Sequence, residues 1–204
     1  MIRNLTIPSL YGAALGIILA ACTMQAQNNY TITFPAPAGY EGSMAYLMNA
    51  DSGTKVDSTL ISSDTIRFAG NVSDPFFGRI YIGATRGPIL MVEEGNIALD
   101  KDGTATGTPL NDRQKEYVGR MKAILTEMRT LDTADSVQAL RVDELTAQYD
   151  ALPTTFYREN TTNPLGVYWF MQEAYDMPLN AIKEEVAKNP YLGASASIQS
   201  IIAA

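Results

Sequence analysis

VDSTLISSDTIRFAGNVSDPFFGRIYI, residues 56–82, decides the fold. Apolar and polar residues alternate, break at Ser62-Ser63-Asp64, alternate again, turn at Asp74-Pro75 and alternate a third time. Alternation with a period of two marks a strand with one buried and one wet face. Three such runs separated by turn residues predict an antiparallel meander at the centre of a sandwich or curled sheet.

Moving outward from this stretch, Tyr30–Phe34 (YTITF) and Ser43–Met48 (SMAYLM) read as two earlier strands. The second is closed by Asn49-Ala50-Asp51-Ser52-Gly53, where Asn and Asp accept local backbone hydrogen bonds and Gly supplies positive φ. On the other side, Ile89–Glu93 and Asn96–Leu99 are expected to form a tight hairpin through Glu94-Gly95, with a short strand at Thr104–Thr106. The expectation is an α+β chain whose N-terminal part, near 28–108, is an antiparallel β-sandwich.

The period changes at Thr108-Pro109-Leu110-Asn111. Asn111 or Asp112 is a suitable N-cap, and Val118, Met121, Ile124, Leu125, Met128 and Leu131 recur at three and four. A second helix is expected near Asp135, with Val137, Leu140, Leu145, Tyr149 and Leu152 as its stripe and Pro153 ending or bending it. Pro164 opens a third, apolar on nearly every side; Pro178 starts a fourth, which Asn189-Pro190 stops. A last short helix is expected at 198–204. Residues 110–204 are thus a C-terminal helical segment, packed against the sheets or extending from them. At its end Ile198, Ile201 and Ile202 make a small apolar face, which either folds back towards Trp169 or awaits a partner.

Residues 1–21 read as a lipoprotein signal peptide: Arg3 supplies the basic start, and the apolar run from Leu10 to Ala21 is short for a membrane span. Leu19-Ala20-Ala21-Cys22 resembles a lipobox, which places a lipid on Cys22, the single cysteine of the chain, and makes residues 22–29 a polar tether. The competing cut, after Ala26, would release a soluble periplasmic protein. No acidic run follows Cys22, so the lipid-anchored chain is expected in the cell envelope, facing the periplasm. With 22 acidic and 15 basic residues the net charge is −7, which argues against nucleic acid as a partner. One cysteine allows no internal disulfide, so stability must come from packed apolar surface.

Chemistry-bearing patterns are few. The sequence has no histidine and no Cys-x-x-Cys, which removes the common zinc, Ser-His-Asp and dithiol mechanisms. No catalytic residue, metal site or cofactor is expected. Asp100-Lys101-Asp102-Gly103 opens like a calcium loop, with Glu93-Glu94 as further carboxylates, but the closing Glu of such a loop is missing and a solvated turn is the better reading. Tyr168-Trp169-Phe170 could line a ligand pocket, although aromatic residues at helical spacing more commonly form core. Four Asp-Ser/Thr-aliphatic triplets put candidate O-glycosylation at Ser58, Thr65, Thr133 and Ser136.

One arrangement gathers these features. The lipobox, the Asp57-Ser58 strand, Ile66–Val72 with Pro75 after it, Val92–Ile97 and the Gly107–Asp112 exit resemble the domain of unknown function that precedes the thioredoxin-like domain in envelope thiol–disulfide oxidoreductases of gut bacteria. Asn163-Pro164-Leu165-Gly166 looks like the start of the linker that follows. The resemblance implies a β-rich domain with a helical extension and a thioredoxin-like partner, domain or protein. It carries over no catalytic residue, because the Trp-Cys-x-x-Cys of that family has no counterpart here. Three functions are therefore expected in turn: a non-catalytic, membrane-anchored domain that positions a partner, an inert oxidoreductase fragment, or a glycan- or peptide-binding module using a sheet face. The anchor has a direct test. Cys22→Ser removes the thiolate that lipidation needs, so the protein should move from the membrane fraction to the soluble periplasm; a wild type that is already soluble and begins at Gln27 would favour the Ala26 cut.

Overall fold

The computed structural model describes residues 28–204. Cys22, the signal peptide, most of the tether and the Ala26 cut lie outside the described residues. The fold is a mixed α+β arrangement: eight strands in two sheets, then a helical bundle. The strands are β1 Tyr30–Pro35, β2 Met44–Asn49, β3 Lys55–Leu60, β4 Thr65–Gly70, β5 Phe76–Ile82, β6 Thr85–Val92, β7 Gly95–Leu99 and β8 Ala105–Thr106. The first sheet has the order β4-β1-β7-β8 and the second β3-β2-β5-β6.

This order corrects the expected meander. The three runs of 56–82 are strands, yet β3 and β5 belong to the second sheet and β4 to the first. Alternation reports that one face is buried without reporting which neighbour a strand pairs with. The switch happens at Ile61, which is buried, donates its N–H to Ser43 O at 2.9 Å and accepts from Gly42 N at 2.9 Å. Ser62–Thr65 then carry the chain across in the open.

The chain returns to the second sheet between β4 and β5, and a further switch, between β6 and β7, corrects the expected Glu94-Gly95 hairpin. β6 lies in the second sheet and β7 in the first, beside β1 and parallel to it, with Tyr30 opposite Gly95 and Thr33 opposite Ala98. The first sheet is therefore mixed rather than wholly antiparallel. Gly95 makes the crossing at φ +122°, a region that disfavours side chains, and donates to Asn29 O at 2.9 Å. The hairpin partner of β6 is β5, through Gly83-Ala84.

The facing sides of the two sheets share one apolar cluster. Ile32, Phe68 and Ile97 enter from the first sheet and Leu47, Ile80 and Leu90 from the second, all of them fully buried. Each such side chain stabilises the fold by roughly 1.5–3 kcal/mol relative to exposure. Phe77 and Met91 point from the opposite side of the second sheet and belong to another cluster, that of the helices.

The helices are α1 Pro109–Met128, α2 Ser136–Arg158, α3 Pro164–Ala174, α4 Leu179–Lys188, α5 Pro190–Gly193 and α6 Ala196–Ala203. The first starts earlier than predicted, at Pro109, with Thr108 in the cap position making no side-chain cap bond. Glu93, at the end of β6, performs that role, accepting from Leu110 N at 2.7 Å and Asn111 N at 3.4 Å. Asn111 is buried and faces the free edge of β6, where its amide accepts from Met91 N at 2.9 Å and donates to Met91 O at 2.7 Å. Asp135 caps α2 as expected, accepting from Val137 N and Gln138 N.

Pro153 does not end α2, which runs five residues beyond it to Arg158. Phe156 and Tyr157 are both buried in that last turn, and their burial outweighs the roughly 3 kcal/mol penalty of an interior proline. The outer part of the predicted stripe fails: Val137 and Leu140 are 74% and 65% exposed. The bundle is centred instead on Tyr117, stacked on Phe156 at 3.9 Å, with Trp169 edge-on to Phe156 at 4.9 Å. Gly166 lets α3 approach the end of α2: a Cβ there would stand 2.0 Å from Asn160 O.

The C-terminal helix folds back. Ile198 is fully buried and Ile201 and Ile202 pack against the same helical cluster, so this face is part of the protein's own core. Its N-terminus is held by Asp51 in the β2–β3 turn. Asp51 Oδ1 accepts from Ser195 Oγ at 2.6 Å and Ser197 N at 3.0 Å, and Oδ2 from Ala196 N at 3.1 Å. The Asn111 bridge gives a stability prediction. Asn111→Leu keeps the volume but leaves the Met91 N–H and C=O without partners, and each orphaned group costs about 1–3 kcal/mol. Chemical denaturation should show a loss in that range or above it; an unchanged midpoint would mean that water replaces the amide.

Candidate functional site

The second sheet has an outer face that the helices cover only in part. Phe77, Ile89 and Met91 sit under α3 and α1. Further along β5, Arg79 and Tyr81 stand on the same face, since alternate residues of a strand share a side. Cross-strand register sets Tyr46, Tyr81 and Arg86 in one row, and Met48, Arg79 and Ile89 in the next. From the helical side Tyr168, Met171, Gln172 and Tyr175 of α3 and its C-terminus close the space. The result is a groove of about 410 Å³ between sheet and helix.

Two features give the groove its chemistry. The first is charge without a partner: among the described residues ion pairs are made by Arg141, Arg158 and Lys188, and none involves Arg79 or Arg86. The lining contains no Asp and no Glu. Arg79 is half-buried, and its Nη1 donates to Gly87 O at 3.0 Å across an irregularity in the β5–β6 pairing. Gly87 permits that irregularity, since a Cβ would meet Ile80 O at 2.7 Å. Burial, and then the neighbouring charge of Arg86, lower the pKa of Arg79 from the usual guanidinium value.

The second feature is the aromatic frame. Tyr168 meets Phe77 edge-on at 6.3 Å, and burial raises its phenol above the ordinary value. Tyr81 and Tyr168 line the same space as Arg79. Tyr175 stands at the rim, 73% exposed. Lys55 extends the cationic side, with its ammonium 5.9 Å from the centre of the Tyr46 ring. Such a surface binds by stacking, hydrogen bonding and charge pairing.

The residues singled out from sequence fall elsewhere, with one exception. Trp169 and Phe170 are core, whereas Tyr168 looks into the groove, so the aromatic triplet divides between packing and surface. Trp169 Nε1 donates to Gln114 at 2.9 Å. Asp100 Oδ1 accepts from Asp102 N and Thr104 N, both at 2.9 Å, and the Thr104 bond leads in lowering its pKa; the carboxylate serves its own turn. Glu93 caps α1, as described above. No group of three or more metal-ligating side chains is assembled among the described residues.

Of the candidate glycosylation residues, Thr65, Thr133 and Ser136 are exposed and Ser58 is half-buried on β3. Thr133 and Ser136 flank the α1–α2 junction, where Asp132 and Asp135 are engaged by backbone N–H groups. Arg79, Tyr81 and Arg86 escape sequence reasoning because each reads as an ordinary wet-face residue of a strand.

No family model, no curated protein and no solved structure matches the chain. Like charges on neighbouring strands of one face disfavour the folded state, by analogy with cross-strand pairs of about 0.2–1 kcal/mol. Arg86→Gln should therefore stabilise the protein by an amount in that range, and the gain should shrink at high salt. A fall in melting temperature would show that Arg86 makes a stabilising contact of its own.

Proposed function

We propose that the chain is a non-catalytic binding module of the cell envelope, built on an open sandwich of two sheets and held to the membrane through Cys22. Its binding site is the groove on the outer face of the second sheet. The observation that carries this reading is the pair of arginines, Arg79 and Arg86, without carboxylate partners in a tyrosine-lined space. An unpaired cation in a partly buried position, as Arg79 is, is costly to a fold, and proteins retain such arrangements where a ligand completes them. The groove's arginines, tyrosines and Gln172 are hydrogen-bonding and stacking groups of the kind that hold a ligand.

The sequence resemblance supports an envelope setting and a thioredoxin-like partner. The geometry favours the sheet-face module: the C-terminal isoleucines that would have offered a docking face are engaged within the bundle. Dithiol–disulfide exchange would have to draw its second thiol from another chain or domain, since this sequence holds one cysteine.

Glycan and peptide arrays probed with residues 28–204 and with a Tyr81→Ala/Tyr168→Ala double variant test the reading. The expected result is a set of ligands bound by the wild type and lost in a variant whose circular dichroism is unchanged. Blank arrays, or ligands indifferent to both substitutions, would remove the groove as the site.

A further inference from the structure

The character of the groove narrows its ligand, on the basis of the binding reading above. In a chain with a net charge of −7, a cavity lined by two arginines and no acid runs against the composition. The contrast holds nearby: the pocket at Asn49, Pro75 and Tyr191 includes Asp51, and the one around Ala36 and Gly39 includes Glu41 and Asp64. An anion is the missing component. Arg79 is already oriented by its bond to Gly87 O, so one nitrogen is committed to the backbone while others of the planar fork remain to donate. A carboxylate set between Arg79 and Arg86 would relieve the repulsion between them and form charge-assisted hydrogen bonds.

The rest of the frame describes what carries that charge. A volume of about 410 Å³ lies near the lower end of the roughly 300–1,000 Å³ common for small-molecule sites, which suits a compact molecule rather than a folded partner. Tyr81, Tyr168 and Tyr175 line the groove with aromatic rings that carry hydroxyl groups, and Gln172 adds an amide. Flat apolar faces interleaved with hydroxyl-pairing groups suit a pyranose ring, whose C–H edges and hydroxyls alternate in the same way. We propose that the groove binds acidic saccharides, taking a uronic-type carboxylate between Arg79 and Arg86 and stacking the sugar ring on Tyr168.

Calorimetry with digalacturonic acid and its dimethyl ester tests this, because the two probes differ in charge while sharing their rings. The acid should bind at least tenfold more tightly than the ester, with an affinity that weakens as salt rises. Arg79→Gln and the exposed-site variant Arg86→Gln should each lose most of that preference, weakening the acid far more than the ester; Tyr168→Ala should weaken both probes. Equal affinity for acid and ester, with Tyr168→Ala still weakening both, would overturn the anionic inference and leave the groove as a binding site. Binding of the acid that ignores the arginine variants would overturn it as well. Failure of both probes at millimolar concentration would end the acidic-saccharide proposal, while the array result decides the fate of the groove itself.

Discussion

A buried side-chain amide, that of Asn111, joins the edge of the second sheet to the helical half of the molecule. The outer edge of β6 presents the N–H and C=O of Met91, and an open strand edge is a liability because it invites pairing with another chain. Asn111 satisfies both groups, as a further strand would, from the first turn of a helix. That bridge fixes where α1 begins and so the height at which the bundle meets the sheet. Glu93 reinforces it from the strand side by capping the same turn. The placement of Tyr117, of the stack on Phe156 and of α3 beyond it follows from that junction.

The second sheet consequently carries two environments on one face. Near Phe77 and Met91 the helices exclude water; two residues along β5 the cover ends and Arg79 is left at the boundary. A groove at such a boundary has one apolar wall and one wet wall. An arginine is suited to it, since its aliphatic stem tolerates burial while the guanidinium seeks an acceptor. The irregular pairing at Ile80 and Gly87 aims that guanidinium across the strand rather than out into solvent.

Much of this was legible in the sequence, and the failures share a cause. Strand positions, the Asp135 cap, the buried third helix and the stop at Asn189-Pro190 rest on local chemistry, and local chemistry was sufficient for them. The meander and the Glu94-Gly95 hairpin failed because neither alternation nor a glycine records which sheet a strand joins. Consecutive strands change sheets four times, between β1 and β2, β3 and β4, β4 and β5, and β6 and β7, and the features seen at two of these crossings, the burial of Ile61 and the φ of +122° at Gly95, exist only in three dimensions. The groove was hidden for the same reason. Arg79, Tyr81 and Arg86 are unremarkable in the chain, and become a constellation once cross-strand register and the end of α3 bring them together.

The clasp between Asp51 and α6 has a consequence for the order in which the molecule assembles. Its bonds join residues 144 to 146 positions apart, yet the entropy of closing a loop grows only logarithmically with its length. Separation therefore delays this contact less than the need for a finished partner does. Asp51 can receive Ser195 and Ser197 only where the β2–β3 turn is formed, and α6 packs beside α4 and α5. We expect α6 to open locally at lower cost than the core of the sheets. Its amide hydrogens should exchange with solvent well before those of β1, β2 and β5, so that the chain's final turn behaves as a latch upon a body already folded.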